Sequence, residues 1–153
     1  MQTNQGLARC TIQVGATAPP KIAAHVGYTG HDEMEELFEA ADVVVCHGGP
    51  GAIAAARRFG RLPIVVPRDP AFGEHIDGHQ VAFARRLAEQ GDVLLATDRG
   101  AFHRLLSQAI DDQARVRLDE GQQVAAEAAV RRFAEIVDPL LERGRARRGR
   151  STA

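Results

Sequence analysis

The stretch 42–80, DVVVCHGGPGAIAAARRFGRLPIVVPRDPAFGEHIDGHQ, constrains the fold more than any other part of the chain. An apolar run, Val43 to Val45, leads into Cys46, His47 and a Gly48-Gly49-Pro50-Gly51 loop. Residues 52–59 are helix-prone, and Gly60 follows as a stop. A second apolar run, Pro63 to Pro67, ends in a polar segment from Arg68 to Gln80. Strand, glycine loop, helix, strand and polar loop make one βαβ unit. In open parallel sheets, ligands bind beyond the carboxyl ends of such strands.

The rest of the chain repeats this alternation. Cys10 to Val14 and Ile22 to Val26 read as strands, and Gly15 ends the first. Thr29 and Asp32 fit an N-terminal capping box for a helix that puts Met34, Leu37, Phe38 and Ala41 on one face. A helix from about Gly78 to Glu89 carries Val81, Phe83, Ala84 and Leu87 and stops at Gly91. Val93 to Leu95 is a buried-type strand. Asp98 caps a helix with Phe102, Leu105, Leu106, Ala109 and Ile110 inward, and a last helix runs from about Gly121 to Val137. Continuous apolar strands alternating with helices predict an α/β fold. The expected form is a Rossmann-like parallel sheet with helices on both faces.

At 153 residues the chain fits one domain, over residues 9–141, between a disordered start (1–8) and a disordered basic tail (142–153). A net charge of −1 gives the body no pull toward polyanions, and a chain without tryptophan and with one tyrosine lacks stacking platforms for single-stranded nucleic acid. Nucleic acid is therefore not an expected partner. Cys10 and Cys46, both beside strands, read as buried free thiols rather than a disulfide. No apolar run reaches the roughly 18 residues that a membrane span needs.

The glycine loop stands between a strand and a helix. There glycines allow close approach of a ligand, and the helix start offers free N–H groups to an anion. A glycine-rich turn with no ligand is the competing reading. No Lys-Ser/Thr follows, and the spacing is not that of G-x-G-x-x-G. His47 either faces a diphosphate or satisfies the strand end. Arg68 either approaches phosphate or pairs with Asp69 on the surface, and Arg57-Arg58 reads as a solvated face. Glu74, His75, Asp77 and His79 are metal-ligand residue types, but their spacing does not gather them on one helix face. A sugar- or phosphate-binding loop fits better, and no metal is expected.

Taken together, CHGGPGAI, GRLPIVVPRDP and GEHIDGHQ resemble the C-terminal, UDP-sugar donor-binding domain of glycosyltransferase family 28. The likeness is densest over residues 42–90 and extends over 10–41 and 92–110. It implies the C-terminal half of a GT-B architecture, in which a second domain holds the acceptor. It places His47, Gly48, Gly49, Gly51, Ala52 and Arg68 at the donor diphosphate and nucleotide. It places Glu74, His75, Asp77, His79 and Gln80 at the donor sugar. The family usually has Thr or Ser at position 52 and a ribose-binding Glu at position 55, where this chain has Ala52 and Ala55. A missing charged ribose contact costs about 1.5–3 kcal/mol. The family also opens with a strand–helix unit ahead of the strand at Cys10 to Val14, and the resemblance implies a sheet without it.

The activity implied is a UDP-sugar-dependent hexosyltransferase, transferring N-acetylglucosamine or another hexose to a lipid-linked or polysaccharide-precursor acceptor. No cofactor is expected besides the UDP-sugar substrate, and the catalytic base is not assigned to this chain. The family includes a two-subunit transferase, so an acceptor-binding partner protein, membrane-anchored, is the expected companion. The alternative is a degenerate, non-catalytic nucleotide-sugar-binding or regulatory subunit. A UDP-sugar epimerase of similar architecture would need both domains in one chain. The arginine-rich tail suits an anionic membrane surface, which makes the expected location cytoplasmic and peripheral to the inner membrane face.

Overall fold

The computed structural model describes residues 8–73 and 79–125, with Ala128. Among the described residues, five short strands and four helices precede a last helix that begins at residue 120. They are β1 (Thr11–Gln13), β2 (Ala24–Val26), α1 (His31–Ala40), β3 (Val45–Cys46), α2 (Pro50–Arg58), β4 (Ile64–Val65), α3 (His79–Glu89), β5 (Leu94–Leu95) and α4 (Arg99–Asp111). Short 3-10 turns follow β4 at Pro70–Phe72 and α4 at Gln113–Val116. Every strand pair is parallel, as expected, but the ladder comes in two pieces: β1–β2, and β3–β4–β5 with β4 in the middle. Parallel neighbours cannot be joined by a tight hairpin, which is why a helix crosses over between each pair in the second sheet.

Successive strand residues point to opposite faces, so the two residues of β4 anchor two cores. Val65 packs with Ile53 of α2, Ala84 of α3 and Val93, flanked by Cys46, Leu87, Ala88 and Leu95. Ile64 packs with Ala96, Ala109 of α4 and Val116, flanked by Phe102, Leu105 and Leu106. Both β4 residues are completely buried. Helices thus cover both faces of this sheet, the arrangement that a central apolar parallel strand demands.

The helix ends follow local chemistry. Gly60 (φ +71°) and Gly91 (φ +75°) take the left-handed conformation that ends α2 and α3. Beyond each glycine an N–H reaches back five residues, from Arg61 to Ala56 O (3.0 Å) and from Asp92 to Leu87 O (2.9 Å). Asp98 caps α4, its Oδ1 accepting from Ala101 N–H at 2.8 Å. The backbone bond to Ala101 holds the Asp98 carboxyl below its ordinary range. The capping box expected at Thr29 does not form. Gly30 is the N-cap of α1 and makes no side-chain bond, while the Thr29 hydroxyl accepts from Gln13 Nε2 at 3.3 Å.

Other expectations change for reasons of packing. Phe83 and Ile110 lie at the rims of their helix faces and stay exposed. Of the expected solvated pair, Arg58 stays exposed and Arg57 does not. Arg57 pairs with Asp92, and Arg58 pairs with Glu35 of α1 beside the stacked rings of Phe38 and Phe59. Cys46 is half-buried, and burial pushes its thiol up to about 11. Cys10 is exposed, beside a β1 whose three residues are all exposed among the described residues. Residues 112–120, which carry no expected element, strap the sheet: Leu62 N–H donates to Val116 O (2.8 Å) and Leu118 N–H to Gly60 O (3.1 Å), burying Val116 and Leu118. Among the described residues β1 pairs with β2 alone. The helix expected over 121–137 begins at residue 120, and its remainder and the basic tail lie outside the described residues.

Candidate functional site

The site is built where β3 and β4 end. Beyond Cys46 the chain turns through His47, Gly48 and Gly49 into α2. Pro50 at the first helical position has a fixed φ that suits the helix and no N–H to leave unpaired. Gly49 is the N-cap and contributes no side chain. The first helical bond runs from Ile53 N–H to Gly49 O at 3.3 Å, so the N–H groups of Gly51 and Ala52 stand ahead of the ladder. They form the positive end of the helix dipole, an anion-binding arrangement.

Three glycines serve three different ends. A Cβ on Gly48 would meet Gln80 Cβ and O at 3.1 Å and Pro67 Cβ at 3.3 Å. Gly48 therefore lets the loop lie against the start of α3 and the end of β4. A Cβ on Gly49 would strike the His47 ring. One on Gly51 would meet nothing within 4 Å. Among the described residues nothing gives a steric reason for glycine at position 51.

His47 keeps an exposed face but turns Nδ1 inward, where it accepts from Gly49 N–H at 2.9 Å. Partial desolvation of the ring, then the nearby Arg68 guanidinium, hold its pKa below the ordinary value of 6.5. The imidazole is neutral at pH 7 with its proton on Nε2. Gln80, in the first turn of α3, accepts from Arg68 N–H through Oε1 at 3.3 Å. Its amide NH2 remains as a donor. Asp69 accepts from Ala71 N–H at 2.8 Å and so shapes the turn after Arg68.

The structure thus brings His47, Gly48, Gly49, Arg68 and Gln80 into one cluster, with Gly51 and Ala52 on the adjoining helix start. His79 is exposed one residue before Gln80. Glu74, His75 and Asp77 lie outside the described residues. Two features escape the sequence reading. Gly48 is read as a ligand-facing glycine, yet packing against Gln80 explains it. Tyr28 stands 84% exposed at the carboxyl end of β2, its ring over Gly15.

A parallel sheet covered by helices, with an uncapped glycine-rich helix start at its carboxyl edge, places the fold in the Rossmann-like α/β class. The chain belongs to glycosyltransferase family 28: the model of that family's C-terminal domain matches residues 8–140. The match runs further toward the carboxyl terminus than the residues that carry the resemblance in sequence. Among curated proteins, the chain is 38% identical over 68 residues to the UDP-N-acetylglucosamine–N-acetylmuramyl-(pentapeptide) pyrophosphoryl-undecaprenol N-acetylglucosamine transferase of Bdellovibrio bacteriovorus, covering 43% of this chain and 18% of the relative. It is 32% identical over 87 residues to the enzyme of the same name from Burkholderia thailandensis, covering 57% of this chain and 23% of the relative. The matched stretches therefore span about a fifth of the length of these relatives. No solved structure matches the chain.

Proposed function

We propose that this chain is the donor-binding part of a UDP-sugar-dependent hexosyltransferase, with N-acetylglucosamine as the sugar and a lipid-linked or polysaccharide-precursor sugar as acceptor. The observation that carries the reading is the open helix start at Gly51 and Ala52, walled by His47, Arg68 and Gln80. In this reading the two N–H groups and the Nε2–H of His47 donate to the diphosphate, and Arg68 adds positive charge. Donors fixed in advance stabilise the negative charge that grows on the departing nucleotide without reorganising. The Gln80 amide donates to a sugar hydroxyl, and the segment containing Glu74, His75, Asp77 and His79 completes the sugar site. The reaction needs no cofactor besides the UDP-sugar.

The base that deprotonates the acceptor comes from an acceptor-binding domain or partner chain, so that transfer requires both halves to be assembled. The location proposed is the cytoplasmic face of a membrane, with the arginine-rich end of the chain against anionic headgroups. No described helix is long and apolar enough to cross a membrane. A second reading, a non-catalytic nucleotide-sugar-binding subunit, is favoured by Ala52 and Ala55, which supply neither hydroxyl nor carboxylate.

Calorimetric titration of the purified chain with UDP and UDP-N-acetylglucosamine tests the donor site. Saturable binding with a preference for the uridine diphosphate moiety is expected, and no binding of either would overturn the reading. Transfer to a lipid-linked acceptor, with and without an acceptor-binding partner, then separates the two readings. Turnover that appears only with the partner supports the enzyme, and none under either condition supports the non-catalytic subunit.

A further inference from the structure

We infer that His47, besides the contact its Nε2–H makes with the diphosphate, positions the glycine loop: its neutral Nδ1 sets the loop in its binding form, so that donor binding weakens on acidification. The inference rests on the donor-site reading and adds how that site is held and regulated.

The geometry allows one tautomer. Gly49 N–H donates to His47 Nδ1 at 2.9 Å, so Nδ1 carries a lone pair and the ring proton sits on Nε2. That bond closes a turn two residues long and uses the N–H of the N-cap residue itself. It fixes where α2 begins, and with it where the N–H groups of Gly51 and Ala52 point. Adding a proton from solvent to Nδ1 turns the acceptor into a second donor aimed at the Gly49 N–H. The bond is lost, and the ring must turn away from the loop.

The surroundings favour the neutral ring. From the end of β4 it meets the positive charge of Arg68, and its neighbour Cys46 stays a neutral thiol. The first turn of α2 holds no acidic residue, and at the start of α3 the uncharged Gln80 packs on Gly48, next to His79. Partial burial acts in the same direction, keeping the pKa below 6.5. The loop bond is therefore intact above that value and is lost as the pH falls through the lowered pKa.

Simple charge attraction predicts the reverse, since a cationic imidazole would draw a diphosphate closer. The two effects are separated with UDP-N-acetylglucosamine, whose diphosphate diester lacks the phosphate ionisation near pH 6 and so keeps a constant charge between about pH 8 and pH 5. The expected result is a Kd that rises about three- to tenfold over that range, the scale of one lost neutral hydrogen bond. Tightening on acidification would overturn the inference. Asparagine offers Oδ1 where histidine has Nδ1 and closes the same turn without titrating. His47→Asn should therefore bind about three- to tenfold more tightly than His47→Ala, with a smaller pH dependence than the unaltered chain in both. Equal affinities would show that the loop does not depend on the acceptor. A ligand-free readout completes the test. In the NMR spectrum of the whole chain, the Gly49 amide proton should titrate with the same midpoint as the His47 ring, whose Nδ1 is unprotonated at neutral pH. A Gly49 amide that ignores that midpoint sinks the coupling. If no nucleotide sugar binds at any pH, the donor-site reading falls and the Gly49 titration alone decides the His47–Gly49 coupling.

Discussion

Gly49 has no room for a side chain because the His47 ring fills it: a Cβ there would lie 2.7 Å from Nδ1 and closer still to Cε1. The same ring accepts the Gly49 N–H, so contact and hydrogen bond specify the pair together. A Gly49→Ala variant must push the ring out and should raise the Kd for UDP about tenfold, in line with an overpacking cost of about 1–3 kcal/mol. In a His47→Ala background the added methyl finds space, and its effect should fall below about threefold. A double-mutant cycle measures the difference. Equal effects in both backgrounds would mean that ligand approach, not His47, demands glycine at position 49.

Gly51 is the cleaner probe of the ligand. Its Cβ would meet nothing within 4 Å, so Gly51→Ala imposes no clash on the free protein. Alanine in a helix is favoured over glycine by up to about 1 kcal/mol. The variant should therefore unfold at equal or higher urea concentration while binding UDP about tenfold more weakly. Opposite signs in the two measurements identify a surface shaped for something absent from the polypeptide. Unchanged affinity would move the diphosphate away from this turn.

Gln80 has two jobs that a charge change separates. Its Oε1 accepts from the Arg68 N–H, and in the proposed donor site its NH2 donates to a sugar hydroxyl. Gln80→Glu keeps an acceptor for Arg68 and replaces the donor with a carboxylate, whereas Gln80→Ala removes both. Each neutral bond is worth about 0.5–1.5 kcal/mol. Gln80→Glu should weaken UDP-N-acetylglucosamine more than UDP, and Gln80→Ala should weaken both. A Glu variant that discriminates no better than the Ala variant would leave Gln80 with the loop alone.

Ala55 lies half-buried on α2, one turn beyond the open N–H groups. If ribose is held beside that turn, Ala55→Glu restores the carboxylate found in the family and should tighten UDP about tenfold, the scale of a charge-assisted bond. Titration of the folded variant against UDP and inorganic diphosphate checks it, since only the nucleoside form should gain. No gain for UDP would assign ribose recognition to another residue.

Much of this was legible beforehand, for identifiable reasons. Apolar runs between glycine stops placed β3, α2, β4, α3, β5 and α4, because Gly60 and Gly91 supply the left-handed residue that ends a helix. Asp98 announced its own helix by local chemistry alone. The misses are tertiary. Thr29 carries a capping side chain, but Gln13 of the neighbouring strand claims its hydroxyl. Residues 113–118 have no periodicity to read, since their role is a bond from Leu62 across the chain. At the site, the glycines were visible as a motif, but which neighbour each one avoids was not. Gly48 answers to Gln80, 32 residues away in sequence, and no local pattern carries that distance.

Arg57 shows the same effect in stability. On sequence it sits in a charged pair on a helix surface. In the fold only 14% of its side chain is exposed, with Nη2 2.9 Å from Asp92 Oδ1 and Nη1 donating to the Asp92 carbonyl at 2.7 Å. It ties the last turn of α2 to the residue that follows the α3 stop, and so fixes the two helices that cover Val65. Removing it leaves a partly buried carboxylate and a carbonyl without their donor. Arg57→Ala should lower the unfolding free energy by about 1.5–3 kcal/mol, the range for hydrogen bonds to charged groups. Arg57→Lys should recover only part of this, because an ammonium cannot reach both oxygens as a planar fork does. Arg86→Ala, on the exposed side of α3, is the matched control and should change stability by less than about 0.5 kcal/mol. Urea unfolding of the three variants decides the matter: equal midpoints for Arg57→Ala and Arg86→Ala would reduce the Arg57–Asp92 contact to a surface pair of no consequence.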